Sequence, residues 1–534
     1  MNKIKTLYYQ IEKILSGVKF AVVIISLFAL SLTVGTFVES YHGTDYANRL
    51  VYKSWWFITI EVLMFLSIFM ATVVRLPPKR RLYGFYTVHA GLMILFIGSF
   101  FTYINGVDGS LQLLPNTPAR SLYVEEDILK ISYPKENRVI KFSLPYSSGP
   151  TKIEQGFKEI NVVEFLPFAE TNIEWLPKKS PANGEHSTHY LLFNPNFSQE
   201  VTLSLSPESD FQSSTKMGLL SLHYMPSHLA DCFAKNSPSG FIVWNVANGK
   251  CYTPEEKKYE MGETQKKTKF VLIPFEDRIL KFFPDFSPVA IKDDLTKDTS
   301  TPFRILSKNV FQDKPNLFLF GPKVSFYSKF KKKWLVKDLK ESIVSLPWMN
   351  FKLKLKRHEE DLVAAMIPSF TKPVQDNGKM IKGEMKAVKI QIYGQDYWVR
   401  SDAPLQLTNG KAQMQIELTQ KEMKLPYQIT LERFKMNTNP GTNDPASYES
   451  FVQLLDGRTT QGVMNHHVFM NNPLKYDDFT FYQSSYFPIG ENQFGSVFSV
   501  NYDPGRFFKY LGSLFIVLGS IWHYLLNRRK KAIL

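Results

Sequence analysis

Cysteine is almost absent from this 534-residue chain. Its two cysteines, Cys232 and Cys251, form no C-x-x-C motif. Neither a redox-active dithiol motif nor a thiolate metal site can therefore be built within one chain. In an oxidising compartment the pair would close a loop of roughly twenty residues and contribute at most a few kcal/mol of stability. Two unpaired buried thiols explain the same composition equally well.

Motifs for the common enzyme chemistries are missing as well. None of the 10 histidines belongs to an H-E-x-x-H signature, and no catalytic triad, P-loop or dinucleotide fingerprint occurs. Hydrolase, nucleotidase and dehydrogenase chemistry has no visible residues to carry it, so we assign no catalytic residue. The net charge of +15 does not indicate nucleic-acid binding, because lysine and arginine are spread along the chain without a basic helix that carries stacking aromatics.

Long apolar runs are confined to the two ends of the chain, although the mean hydropathy is only -0.17. Four segments have the length that a helix needs to cross the hydrocarbon layer: residues 20–38, 55–74, 85–104 and 507–526. The first run is too long for a signal-peptide core and has no cleavage site, so we predict an uncleaved helix. The predicted fold class is a membrane protein with four transmembrane α-helices, three N-terminal and one C-terminal, and a large extracytoplasmic β-rich domain.

Positive charge predicts the orientation of these helices. Basic residues precede the first span, fill the loop at 75–81 and follow the last span at 528–531. Cytoplasmic segments carry the excess of lysine and arginine, so all three are predicted to lie inside. The predicted organisation is a cytoplasmic N-terminus (1–19), a three-helix membrane region (20–104), an extracytoplasmic β-rich domain (105–506), a fourth membrane helix (507–526) and a cytoplasmic basic tail (527–534).

The soluble region indicates β structure. From residue 379 onward, apolar and polar residues alternate in the runs AVKIQIYG, YWVRS, AQMQIELT and YQITLERF. Turn residues separate the runs at Asn409-Gly410, Asn439-Pro440-Gly441 and Asp456-Gly457. An antiparallel sandwich or paired sheets is the expected arrangement. Residues 116–378 are less legible, with loop-like interruptions at 180–187 and 206–214.

Two histidines, His89 and His523, fall inside predicted spans, where an ionisable side chain is rare enough to indicate function. His89 lies opposite a helical stripe formed by Gly84, Gly91 and Gly98. The glycine side can pack closely on another helix. The bulky apolar side that carries His89 could line a slot for a flat macrocycle, with imidazole as an axial iron ligand. Helix-to-helix hydrogen bonding or a lipid-facing stripe is the alternative explanation.

Two further features lie inside the predicted spans. On the fourth span, Gly512 and Gly519 share the face of His523, which predicts space beside that imidazole. Glu61 of the second span is an ionisable group that could relay protons, pair with a neighbouring helix or reach headgroup water.

Three histidines outside the spans are weaker candidates. His42 lies in the short outer loop, and His466 and His467 precede the last span. All three could supply ligands at the outer membrane surface. Histidines in loops are more often simply solvated, and no spaced metal signature links these three.

Both ends of the chain carry motifs of one known family. At the N-terminal end, residues 35 to about 113 include GTFVES, VYKSWWF, a Pro-Lys-Arg-Arg loop and GFYTVHAGLMILFIGSFFTYINGVDGSLQL. At the C-terminal end, residues 425–505 include LPYQITLERF, NPGTNDPASYESFVQL, NNPLKYDDFTFYQSSY and a DPG before the last span. These segments resemble the ResB/CcsB family of cytochrome c biogenesis proteins of System II. Residues 116–378 match that family poorly or not at all.

The resemblance implies a complex in the bacterial cytoplasmic (inner) membrane that moves haem b outward, keeps its iron reduced and presents it to the CXXCH thiols of apocytochrome c. His89 matches the family's third-span histidine, which implies an axial ligand of the haem iron. The family's opposite ligand is generally attributed to a CcsA-type, WWD-domain partner, and His523 is the second haem-binding candidate in this chain. Thiol-reducing, thioredoxin-like proteins are further partners compatible with this chemistry.

Because the chain lacks a tryptophan-rich WWD segment, the resemblance implies a non-autonomous subunit of a haem lyase (cytochrome c synthetase) complex. Two other functions stay open on the residues alone. One is a membrane-anchored envelope scaffold whose sheets bind lipid or protein without haem chemistry. The other is a transmembrane electron carrier that holds haem permanently between His89 and His523.

Overall fold

The chain divides into two compact units. The membrane unit comprises Met1–Glu170 and Pro368–Leu534, and the insert unit comprises Thr171–Ile367. In the computed structural model the described residues are 2–157, 160–178, 186–206, 209–235, 240–245, 249–253, 260–263, 267, 269–275, 278–282, 303–340, 342–376, 378–409, 412–441, 445–459, 462–490 and 493–531.

The α-helices among these residues are α1 (Asn2–Leu15), α2 (Val18–His42), α3 (Thr44–Ala47), α4 (Trp55–Val73), α5 (Tyr83–Asn105), α6 (Ala230–Ala234) and α7 (Arg506–Lys531). A single π-helical turn, Asn48–Tyr52, links α3 to α4. Four helices, α2, α4, α5 and α7, are long and apolar enough to cross a membrane. Three of them lie in the N-terminal part and one at the C-terminal end, with β structure between, so the predicted fold class is confirmed.

The strands follow in chain order: β1 (Val107–Leu113), β2 (Pro118–Tyr133), β3 (Arg138–Ser143), β4 (Thr151–Phe157), β5 (Ile160–Pro177), β6 (Ser187–Asn194), β7 (Phe197–Ser204), β8 (Ser214–Met217), β9 (Leu220–Tyr224), β10 (Phe241–Asn245), β11 (Cys251–Tyr252), β12 (Glu260–Glu263), β13 (Lys269–Phe275), β14 (Arg278–Phe282), β15 (Phe303–Ser307), β16 (Asn316–Phe320), β17 (Lys323–Ser328), β18 (Lys333–Asp338), β19 (Val344–Ser345), β20 (Lys352–Glu359), β21 (Leu362–Phe370), β22 (Val374–Asp376), β23 (Lys379–Lys382), β24 (Met385–Ile392), β25 (Gln395–Arg400), β26 (Leu405–Asn409), β27 (Ala412–Thr438), β28 (Pro445–Leu455), β29 (Val463–Phe469), β30 (Leu474–Tyr476), β31 (Phe479–Gly490) and β32 (Gln493–Tyr502).

A 10-stranded antiparallel sheet dominates the membrane unit. Its order is β29-β28-β27-β2-β1-β32-β31-β30, with β26 on β27 and β3 on β2. Strand β1 continues from α5 and β32 leads into α7, and the two strands pair from Val107 opposite Tyr502 to Leu113 opposite Ser496. The sheet therefore ties the third and fourth membrane helices together at one end.

The predicted alternating runs are strands. The run AVKIQIYG contains most of β24, whose side chains Val388, Ile390 and Ile392 are buried in an apolar core. YWVRS corresponds to β25, and both AQMQIELT and YQITLERF lie in β27. A two-residue turn joins β24 to β25, with φ of 49° at Tyr393 and 79° at Gly394. This left-handed pair is the turn geometry that matches the twist of a hairpin.

Helices α5 and α7 pack through glycine, as the stripe on α5 predicts. A Cβ built on Gly91 would lie 2.7 Å from the carbonyl oxygen of Gly512, and one on Gly84 would lie 2.5 Å from the Cα of His523. The end of a flexible side chain could move aside for an added Cβ, but these neighbours are backbone atoms, which cannot. Glycine is thus what allows the two helix axes to approach this closely.

The insert unit is further β structure. Its sheets have the orders β19-β20-β6-β7, β18-β17-β16-β9-β8, β11-β10-β15 and β12-β13-β14. Strands β9 and β16 pair in parallel, unlike the antiparallel arrangement expected for the soluble region. Cys232 of α6 and Cys251 of β11 are joined by a disulfide, with their Cα atoms 6.4 Å apart. The structure therefore agrees with the disulfide-closed loop and not with two unpaired thiols.

Candidate functional site

His89 lies in α5, in the half of that helix away from the sheets, and is half-buried. Its Nδ1 is 3.0 Å from the carbonyl oxygen of Phe85, one helical turn earlier. A carbonyl can only accept, so Nδ1 is the donor in this bond, and in the neutral ring Nε2 then carries the lone pair. This is the tautomer in which a metal-binding histidine presents Nε2 while its other nitrogen is held by a carbonyl.

Phe85 and Arg75 complete the surroundings of this imidazole. The Phe85 ring lies against His89, with ring centroids 3.8 Å apart. The Arg75 guanidinium carbon is 5.0 Å from the centroid of Phe85, and Arg75 Nη1 donates to the carbonyl of Ala71 at 2.6 Å. The Tyr86 hydroxyl donates to the Arg75 carbonyl. A cation is thus held beside the aromatic ring that covers His89. From the sequence, Arg75 is only one of several charges that set topology.

His523 lies in α7, the helix that packs on α5. Its backbone contacts Gly84 of α5, and its side chain is exposed on the surface of this chain. His89 follows Gly84 by five residues, which turns it by about 140° around the helix axis. On α5, the Cα–Cβ direction of His89 is therefore turned away from the glycine stripe that meets α7, whereas His523 lies on the face of α7 that meets this stripe.

The space predicted beside His523 is filled. A Cβ on Gly512 would lie 2.6 Å from the carbonyl oxygen of Gly91, and one on Gly519 would lie 2.7 Å from the backbone nitrogen of Val88. Helix α5 occupies the face that these two glycines leave open, so the prediction of free space there is wrong. The period of the glycines identified a close-packing face but not which helix would use it.

A cavity of about 1340 Å³ lies between α2, α4, α5 and the adjacent end of the large sheet. Its walls in the helical region are apolar and aromatic, and its rim carries charges of both signs from the strands. Glu61 lines this cavity and is half-buried. The representative lining residues are Phe28, Phe57, Phe65, Phe96, Phe100, Lys53, Glu125, Glu126, Lys421 and Lys509.

Four charges fix the segment between α2 and α4 to the strands. Arg49 Nη2 is 2.7 Å from Asp127 Oδ2, and Arg49 Nε is 2.7 Å from Asp45 Oδ1. Lys386 Nζ reaches Asp127 at 2.7 Å and Asp45 at 3.4 Å. Burial alone would raise the pKa of Asp45. The nearby positive charges of Lys386 and Arg49 together outweigh this effect, so the pKa lies below its ordinary value. The cluster was not predicted from the sequence, because Asp127 and Lys386 are far along the chain from Asp45 and Arg49.

Two of the three histidines predicted outside the spans bond to other parts of the chain. His42 Nδ1 donates to the carbonyl of Pro373 at 2.6 Å. His467 stacks on Phe451 with ring centroids 4.2 Å apart, and its Nε2 is 3.0 Å from Glu449. His466 is exposed on β29. Among the described residues no three His, Cys, Asp or Glu side chains are grouped to hold a metal ion.

Comparisons with known proteins match about a fifth of the chain. The chain is 33% identical over 105 residues to Protein NrfI of Wolinella succinogenes, an alignment that spans 20% of this chain and 11% of that protein. A model of the ResB-like family matches residues 393–496, from the β24–β25 turn to the start of β32. His89 lies outside this segment. The resemblance read from the sequence is confirmed there: residues 393–496 form a ResB-like segment.

Proposed function

We propose that this chain is a subunit of a System II cytochrome c synthetase complex in the bacterial cytoplasmic membrane. In this function it binds haem in the membrane at His89, passes it outward and helps to attach it to the CXXCH thiols of apocytochrome c. The observation that carries the proposal is the hydrogen bond from His89 Nδ1 to Phe85, because it leaves Nε2 as a metal ligand on an apolar helix face. The ResB-like segment supports the assignment to cytochrome c biogenesis.

The groups around His89 fit haem as the transported substrate. Neutral imidazole is a common axial ligand of haem iron, and an apolar aromatic side chain such as Phe85 suits the porphyrin face. Arg75, held beside Phe85, is the kind of cation that pairs with a carboxylate such as a haem propionate. These three groups around His89 therefore fit haem in their chemistry and polarity.

The second axial ligand is expected from a CcsA-type, WWD-domain partner. His523 is the alternative within this chain; it meets the glycine stripe of α5, from which His89 is turned by about 140° around the helix axis. The β-rich domain on the outer side would then serve as the platform on which partner and apocytochrome dock. Thioether formation itself uses the apocytochrome thiols, so this chain needs no nucleophile of its own.

The test is the reduced-minus-oxidised spectrum of the detergent-purified complex. We expect low-spin haem in the wild type, a strongly reduced haem content in His89→Ala, and a smaller loss in Arg75→Gln. His466, an exposed histidine of β29, provides the control, because His466→Ala removes an imidazole without changing α5.

His523→Ala separates the two sources of the second ligand. Unchanged haem in this variant supports a ligand from the partner, whereas a loss equal to that of His89→Ala supports a ligand from this chain. An unchanged spectrum in His89→Ala, together with normal cytochrome c assembly, would reject the ligand assignment. Intact c-type cytochromes after deletion of the whole chain would favour the scaffold function instead.

A further inference from the structure

Two hairpin turns of the insert unit carry apolar side chains that lie almost wholly in water. Phe330, between β17 and β18, is 95% exposed, and Leu219, between β8 and β9, is 82% exposed. At such exposure neither side chain contributes to the packing of its own unit. One exposed apolar residue is ordinary on a protein surface, so the argument depends on where the two lie relative to each other.

The five-stranded sheet brings both turns to the same end. Its order is β18-β17-β16-β9-β8; β9 runs parallel to β16 and β17 antiparallel to it. Continued to Pro315, just before β16, the two registers place Leu220 of β9 and Ser328 of β17 at one level. The turns that carry Leu219 and Phe330 therefore project from the same edge to a similar height. Three strand spacings separate the hairpins, or about 14 Å.

Positive charge surrounds both turns. Six exposed lysines lie in these turns or in the segment before β16, which ends at the same edge: Lys216, Lys314, Lys329, Lys331, Lys332 and Lys333. Asp313 is the acidic residue next to them. Among the described residues none of the six lysines forms an ion pair. Lys323, at the opposite end of β17, by contrast pairs with Asp231 at 3.0 Å. This end of the sheet therefore combines two apolar tips with uncompensated positive charge.

We propose that this end of the insert unit, the basic tip surface, binds the surface of a bilayer that contains anionic phospholipid. Phe330 and Leu219 enter the boundary between headgroups and acyl chains, and the lysines remain at the level of the phosphates. A bilayer offers both features at once, because a negative headgroup layer lies directly above an apolar interior. Single-stranded nucleic acid matches less well, since bases stack on aromatic rings and Leu219 has none. The inference does not depend on haem binding at His89.

The test uses the full-length chain in nanodiscs with one environment-sensitive fluorophore. Both native cysteines form the disulfide, so Phe330→Cys supplies a single free thiol for a nitrobenzoxadiazole label, itself apolar. In one arm, the nanodisc contains only phosphatidylcholine, and vesicles of equal parts phosphatidylglycerol and phosphatidylcholine are added. In the other arm, that mixture forms the nanodisc itself. We expect a blue shift, and quenching by spin-labelled lipid, in at least one arm, and neither effect when all lipid is phosphatidylcholine.

Two variants that keep the label at position 330 test the two parts of the surface. Lys329→Gln/Lys331→Gln/Lys332→Gln should weaken binding by roughly fivefold for each lysine removed. Leu219→Ser should weaken it by roughly tenfold, because one of the two inserted side chains is lost. All substituted side chains are exposed, so melting temperatures should stay at the wild-type value.

Matched controls come from the same unit. Lys352→Gln/Lys354→Gln/Lys356→Gln removes the same charge from exposed positions of β20 and should leave the response unchanged. A label on Met349→Cys reports on a position that is 72% exposed, in a loop without lysine from 346 to 351, and should show no shift.

Four results would overturn the proposal. These are no response in either arm, an equal response with phosphatidylcholine alone, equal losses in the two lysine triple variants, and an equal response of the label at position 349. Retention of the chain on immobilised polyglutamate without a response to any bilayer would also overturn it, in favour of an acidic protein partner.

Discussion

Arg49 donates to Asp127 across 2.7 Å, although the two residues are 78 positions apart and belong to the connection between α2 and α4 and to β2. Their side chains are only 1% and 5% exposed. The pair thereby fixes the connection between the first two membrane helices to β2, the second strand after the third membrane helix. Because both charges are out of water, each depends on the other for its solvation.

We predict that Arg49→Met destabilises the chain by about 3 kcal/mol, since removal of one partner leaves buried carboxylate charge. Lys386 keeps one contact with Asp127, so the effect should lie at the low end of the range for buried pairs. The measurement is thermal unfolding of the purified chain in detergent. Lys421→Met is the matched control, because Lys421 forms a pair of the same 2.7 Å length with Glu126 at an exposed position. Exposed pairs contribute about 0–1 kcal/mol, so equal losses in the two variants would contradict the prediction.

Gly91→Ala should disrupt the contact between α5 and α7. The added methyl would meet the Gly512 carbonyl at 2.7 Å and the backbone nitrogen of Ile516 at 2.9 Å. Overpacking typically costs about 1–3 kcal/mol, and more where backbone must move. Melting temperature is the readout. Gly149→Ala is the control, since nothing lies within 4 Å of a Cβ there; a variant of Gly91 as stable as this control would disprove the close contact.

The stability of the chain should fall between about pH 6.5 and pH 3, in part through His186. Burial, followed by the neighbouring His358, lowers the pKa of His186 to about 3 from an ordinary value of 6.5. In that window the unfolded chain binds a proton that the folded chain does not, so the free energy of unfolding rises with pH. One such group contributes at most about 1.4 kcal/mol per pH unit.

Melting temperatures at pH 7 and pH 5, measured for wild type, His186→Asn and His466→Ala, test this. The wild type and His466→Ala should lose similar stability on acidification, and His186→Asn should lose less. The same pH dependence in all three proteins would show that His186 is not the group responsible.

Reduction of the disulfide should weaken the insert unit. Cys232 and Cys251 are separated by 19 residues, and closing a loop of about that length stabilises a fold by roughly 3 kcal/mol. The double variant Cys232→Ser/Cys251→Ser should therefore melt earlier than the wild type. Dithiothreitol should lower the melting temperature of the wild type and leave that of the variant unchanged. A shift of equal size in both would point to an effect of the reductant elsewhere.

The composition and period of the sequence determined much of this protein. Twenty-residue apolar runs can cross a membrane only as helices, so four spans follow from hydropathy, and period-two alternation predicted β24, β25 and β27. The glycine period on α5 likewise predicted a close-packing face. All of these are local patterns, which a chain carries wherever it folds.

Only the tertiary structure decided which groups meet. It paired Gly91 with Gly512, Arg49 with Asp127, and His186 with His358. Such contacts join residues distant in sequence, and no local period records them. The sequence placed His89 and His523 in membrane helices, but only helix packing showed that His523 meets the glycine stripe of α5 while His89 is turned away from it, because a helix period does not record which neighbour each face meets.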